Sequence, residues 1–145
     1  MRNVKRLVLP GMALFVFAST QFSLAQAKAA PAARIAHGKY LVHSVAHCGK
    51  CHSEHDKKGE PIAGKELRGG ALEFKPIVPT PNWADKAPNI AGLRGWEDAD
   101  AIKFFMTGLA YNDLPARPPM PEYKMNKEDA EAVVAYLKSL SPTAK

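Results

Sequence analysis

The clearest hydrophobic pattern lies near the C-terminal end, where Ala130, Val133, Val134 and Leu137 recur at i, i+3, i+4 and i+7. That is one apolar face of a helix, widened by Tyr136 and Leu140. Asn126 stands where a cap is needed, Asp129 follows three residues on, and Pro142 ends the segment. A second helix is predicted from Glu97, with Asp98 and Asp100 in its first turn, then Ala101, Ile102, Phe104, Phe105 and Met106, and Gly108 placed to stop it. Met106 is expected in the core. A third helix is predicted from Arg34 to about His47, where Ile35, Leu41 and Val45 recur at near-helical spacing with Tyr40 and Val42 beside them. Gly38 inside it costs about 1 kcal/mol relative to alanine, which points to a close helix contact there.

Between these helices the periodicity fails. Residues 53–90 hold Pro61, Gly64, Gly69, Gly70, Pro76, Pro79, Pro81 and Pro88, and no pattern survives more than a few positions. A stretch of that length without structure implies a chain wrapped around something. Leu114 to Pro121 is too rich in proline for a helix or a central strand. Three helices and a long belt contain too little regular packing for the chain, unless a large apolar ligand completes the core.

The N-terminal end follows a different logic. Arg2, Lys5 and Arg6 precede an apolar run from Leu7 to Ala18, and Ala25 and Ala27 sit two apart as signal peptidase requires. Residues 1–27 read as a secretory signal peptide, 28–33 as a flexible lead-in and 34–145 as one domain. An uncleaved anchor is the alternative. The formal net charge of +6 falls to about +3 once the leader is removed, well short of a nucleic-acid footprint. Two cysteines cannot build a disulfide-rich mini-protein, and the composition excludes disorder.

Cys48-Gly49-Lys50-Cys51-His52 fits C-x-x-C-H, the signature of covalent c-type haem attachment. Two thiols three residues apart on one helical turn reach the two vinyl groups on one side of a porphyrin. The adjacent imidazole then lies under the iron. Export to an oxidising compartment agrees with that chemistry. Rival readings are weaker: a dithiol redox centre lacks its βαβ surroundings, zinc on Cys48 and Cys51 with His43, His47 or His55 lacks a second ligand pair, and a Cys48–Cys51 disulfide would be strained. The second axial position calls for a soft neutral ligand. Met120, enclosed by Pro118, Pro119 and Pro121, is the first candidate, because fixed proline φ angles hold a weak thioether in place; Met125 is the second. The five histidines fall between His37 and His55 and read as a partly exposed helix rather than a second metal site. Trp96, Arg94 and Arg117 are candidate partners for the haem propionates.

With these residues in hand, the chain resembles the class I c-type cytochromes, and more narrowly the haem domains in cytochrome subunits of bacterial periplasmic dehydrogenases. The landmarks are His37 to Val42, Cys48 to His52, Leu67 to Gly70, Ala87 to Ile90, Gly92 to Trp96, Pro119 to Pro121 and Glu128 to Leu140. The resemblance implies an all-α cytochrome c fold: three to five short helices and long loops wrapped around one covalent haem c. It implies a helix crossing in which Gly38 faces Tyr136. It also implies Cys48 and Cys51 as the thioether attachments, His52 as proximal and Met120 as distal ligand of the haem iron. The expected function is periplasmic transfer of single electrons, by a carrier rather than an enzyme in its own right. A haem-bearing subunit of a larger oxidoreductase is the alternative, and a ligand-binding or peroxidase-type protein with an open distal site is an alternative of another class. Expected partners are redox proteins, such as a periplasmic dehydrogenase or a terminal oxidase, steered by Lys50, Lys57 and Lys58. Nucleic acid is not expected, and a membrane only if the leader stays uncleaved.

Overall fold

The computed structural model describes residues 31–140, and the compact unit that carries the site begins at Ala32. The expected leader, residues 28–30 of the lead-in and the closing Pro142 lie outside the described residues. Residues 31–40 form helix α1, so the end of the lead-in is already helical, as its alanines favour. Leu41–Val45 continues α1 as a π-helical turn, closed by the Ala46 N–H on the Leu41 carbonyl at 2.8 Å. The wider turn ends at His47, whose φ of 50° reverses the chain. Helix α2, Gly49–His52, is a single turn. Helix α3 is Asp98–Thr107 and ends at Gly108 in the left-handed region. Helix α4 is Lys127–Ser139, with the Asn126 side chain accepting from the Asp129 N–H.

The belt is irregular as expected, with one addition. Gly70–Ala71 (β1) pairs antiparallel with Lys86–Ala87 (β2), in the register Gly70 to Ala87 and Ala71 to Lys86. The fold is therefore helical, with loops dominant and a minimal two-stranded ladder.

Helix α4 is the spine. Ala130, Ala132, Val133, Val134, Tyr136 and Leu137 are buried on it, and full burial of each valine or leucine contributes about 1.5–3 kcal/mol. It packs against α3 and against the C-terminal part of α1. The α1 crossing explains Gly38: a Cβ there would lie 1.9 Å from the Ala132 carbonyl oxygen and 2.8 Å from the Tyr136 Cβ. The tightest approach is thus to the Ala132 backbone, with the aromatic second. Lys138 donates to the Trp96 carbonyl at 3.0 Å and pairs with Asp98, joining the end of α4 to the start of α3.

Met106 corrects an expectation. It is 36% exposed, because Ala101 and Phe105 occupy the inward stripe of α3 and the next residue turns outward by about 100°.

Candidate functional site

The π-helical end of α1 and the reversal at His47 deliver the chain into the single turn of α2. The Cys51 and His52 N–H groups both return to the Cys48 carbonyl, at 3.2 and 2.8 Å. That turn puts both thiols and the imidazole on the wall of one cavity of about 670 Å³. The volume falls within the range that encloses small-molecule cofactors, roughly 300–1,000 Å³. Its walls are largely apolar: Ile90 and Leu93 from the belt, Phe104 and Phe105 from α3.

Burial sets the chemistry of each group. Cys48 is buried and its thiol is pushed up to about 11, chiefly by desolvation. Cys51 is half-buried. The His52 imidazole is held below its usual range, first by burial and against the opposing effect of a hydrogen bond to Pro88, so it is neutral at pH 7. Its Nδ1 lies 2.8 Å from the Pro88 carbonyl oxygen, which can only accept, so the proton sits on Nδ1. The Nε2 lone pair is thereby left for a metal, the usual arrangement of a ligating histidine and its supporting carbonyl.

Met120 lines the same cavity between Pro119 and Pro121, and its N–H returns to the Arg117 carbonyl at 3.1 Å. Met125 does not line it. That residue packs against the helical core, with its N–H on the Phe105 carbonyl at 3.1 Å. Trp96, Arg94 and Arg117 all border the cavity. Arg117 also staples two segments together, with Nε donating to the Asn82 carbonyl at 2.9 Å and Nη2 to the Trp83 carbonyl at 3.0 Å. Trp96 meets Phe104 and Tyr111 edge-on.

Two of the histidines outside the motif have side-chain partners across the helix contact, and a third, His47, lines the cavity. His37 pairs with Asp129 at 2.7 Å and His43 with the Tyr136 hydroxyl at 2.7 Å, both across the α1–α4 contact. No group of three or more histidine, cysteine or acidic side chains able to hold a metal ion occurs among the described residues.

Two residues escaped sequence reasoning. Tyr123 lines the cavity beside Cys48 and donates to the Ala46 carbonyl at 3.3 Å; burial pushes its hydroxyl up to about 12. Trp83 has an enclosed indole N–H with no acceptor among the described residues. It is flanked by Ala84, a cavity residue, and its carbonyl is held by Arg117. Buried N–H groups find partners; Trp83 stands beside the cavity wall rather than in it, so an acceptor for this N–H would have to come from a group at the cavity's edge. A tryptophan in an otherwise unpatterned belt was the only available signal. Together the apolar walls, the paired thiols, the neutral imidazole, the thioether and the orphaned N–H suit a porphyrin carrying carboxylates.

The comparisons with known proteins agree. The family model for cytochrome c matches residues 35–141. The chain is 28% identical over 117 residues to the fructose dehydrogenase cytochrome subunit of Gluconobacter japonicus, covering 74% of this chain and 22% of that one. It is 29% identical over 107 residues to a diheme cytochrome c-type protein of Cereibacter sphaeroides, covering 70% of this chain and 33% of that one. With the cytochrome c subunit of a quinone alcohol dehydrogenase from Gluconobacter oxydans it shares 26% over 116 residues, 73% of this chain and 24% of the relative. The chain thus spans at most a third of the length of these relatives.

Proposed function

The chain belongs to the cytochrome c family, and from that premise we propose that it is a periplasmic monohaem cytochrome that passes single electrons between protein partners. The observation that carries the reading is the convergence of Cys48, Cys51, His52 and Met120 on one apolar cavity. Bound there, haem c supplies a one-electron Fe(III)/Fe(II) couple. The chain's own residues do the rest. Cys48 and Cys51 tether the group, and His52 offers Nε2 from a tautomer held by Pro88. Met120 offers its sulfur from a proline-stiffened loop, and a Met/His pair raises the reduction potential. The walls of Ile90, Leu93, Phe104 and Phe105 exclude water, which favours the less charged state of the metal. Arg94, Arg117 and the Trp83 N–H are the groups for the carboxylates. No substrate bond is made or broken, so the role is that of a carrier. Residues 1–27 serve as the export leader and 34–145 as the haem domain. No helix among the described residues is long and apolar enough to cross a membrane.

A second reading has specific support, since two of the relatives above are named as cytochrome subunits of dehydrogenases. In that case the chain works inside a complex, and co-purification with a catalytic chain separates the two. The first test is mass and colour. Protein exported from a host with haem maturation should carry the mass of one haem on a chain lacking residues 1–27. Its Met120→Ala variant should lose the weak near-infrared sulfur-to-iron band, bind CO readily when reduced and fall in potential, whereas Met125→Ala should not. Colourless polypeptide, or a Met120→Ala spectrum identical to wild type, defeats the assignment.

A further inference from the structure

Between β1 and β2 the chain makes a hairpin excursion away from the cavity. The ladder at its base is extended by the Leu72 N–H on the Asp85 carbonyl at 2.9 Å. Leu72, Ala84, Lys86 and Ala87 at that base belong to the cavity wall. Gly70 sets the base firmly against the C-x-x-C-H turn, because a Cβ there would lie 2.3 Å from the Ser53 carbonyl oxygen.

The tip is apolar and faces outward. Ile77 is 103% exposed, Val78 72% and Phe74 49%. Single exposed apolar residues are ordinary, but a contiguous set on one projecting loop is a mark of interaction. Nor is the tip slack. Pro76, Pro79 and Pro81 restrict its backbone, Phe74 meets Trp83 edge-on at 5.9 Å, and Arg117 holds the carbonyls of Asn82 and Trp83. A loop of this length that is held rather than trimmed is usually functional.

Charge and area narrow the occupant. Glu73, Lys75, Asp85 and Lys86 balance, and Lys75 pairs with Asp85, so the hairpin is neutral on a chain whose formal net charge is +6 in full and about +3 without residues 1–27. An anionic lipid surface would find no excess of cations there. Three side chains offer on the order of a few hundred Å², against about 800 Å² per partner in a stable complex. A lasting dimer through this tip is therefore ruled out. A brief electron-transfer encounter, whose total area runs below about 1,200 Å², is the size class that fits.

We propose that residues 73–83 form the contact on which a redox partner protein docks transiently, with Ile77 and Val78 entering an uncharged apolar recess of that partner. The proposal rests on the electron-carrier reading. Docking there seats the partner against the flank of the cofactor cavity through a rigid base. Because the contact is neutral, it contributes at high and low salt alike, in contrast to steering by Lys50, Lys57 and Lys58.

The test uses the haem-loaded full chain, wild type and Ile77→Ser/Val78→Ser. Each is reduced and then oxidised in stopped flow, either by membranes plus periplasmic fluid of the organism that encodes it or by ferricyanide, a small ion that needs no docking surface. The expected result is a membrane-driven rate at least tenfold lower in the variant, at low and high salt, with its ferricyanide rate and visible spectrum unchanged. A membrane-driven rate within twofold of wild type overturns the proposal. So does an equal loss with ferricyanide, which would make the tip a support of the fold. Vesicles of phosphatidylcholine and phosphatidylglycerol that bind wild type but not the variant would make lipid the occupant and overturn it as well. If wild type reacts with ferricyanide but not with the cell fractions, the carrier reading itself fails and the docking proposal falls with it.

Discussion

A chain made where no haem is attached must either keep a cavity of about 670 Å³ or collapse into it. Core cavities cost about 24 cal/mol per Å³, so a sealed, dry void of this size would cost about 16 kcal/mol, an upper bound for a cleft that opens to solvent and has polar groups at its edge. Native domains hold only about 5–15 kcal/mol in all. Water entering at the mouth reduces the cost, but Ile90, Leu93, Phe104 and Phe105 offer it nothing to bond. Even a third of the figure, about 5 kcal/mol, equals the low end of total stability. The haem-free chain should therefore lack a cooperative unfolding transition in calorimetry. Near-UV circular dichroism from Trp83 and Trp96 should vanish, and the amides of α3 and α4 should exchange within seconds. Far-UV circular dichroism should retain a fraction of helix, since α4 carries its own cap and apolar face. A sharp transition with the same near-UV spectrum as the haem-loaded protein would refute the reasoning, because the walls would then be self-supporting.

Gly38→Ala should be among the costliest single substitutions away from the cavity. Its Cβ meets the Ala132 backbone, so α1 and α4 must separate, at about 3 kcal/mol, and Tm by calorimetry should fall by roughly 10 °C or more. An unchanged Tm would mean that the crossing is looser than described. Trp83→Phe in the haem-loaded protein should lower stability by about 1 kcal/mol and shift the reduction potential measured by redox titration. A raised Tm with an unchanged potential would instead mark the N–H as unpaired in the holoprotein. Alkaline stability follows from Tyr123 and Tyr136, both raised mainly by burial, Tyr123 to about 12. The folded state keeps these protons longer than the unfolded chain does, so their contribution is complete below pH 10 and is lost at higher pH, that of Tyr123 as pH rises through about 12. Urea midpoints across that window should fall less steeply in Tyr123→Phe, and an unaltered slope would contradict the sign.

What could be read from residue order is local in origin. The Asn126 cap and the stripe from Ala130 to Leu137 depend on contacts three or four residues apart, and the structure retains them. The acids that open α3 and the glycine that closes it are equally local. The turn of Cys48 to His52 follows from a motif whose spacing is itself the chemistry, and the broken pattern of 53–90 matches an irregular belt that supplies part of the cavity wall. Tertiary closure decided the rest. Met106 is outside because Ala101 and Phe105 take the inward stripe of a short helix, a choice periodicity leaves open when apolar residues are adjacent. The closest neighbour of Gly38 is a backbone oxygen, and carbonyls carry no signature in a sequence. Tyr123 beside Cys48, Trp83 with its unspent N–H, and the hairpin raised on Gly70 and Ala87 join residues far apart in the chain. Their meeting depends on how loops without periodicity close around a common centre, which pairwise spacing along the chain does not encode.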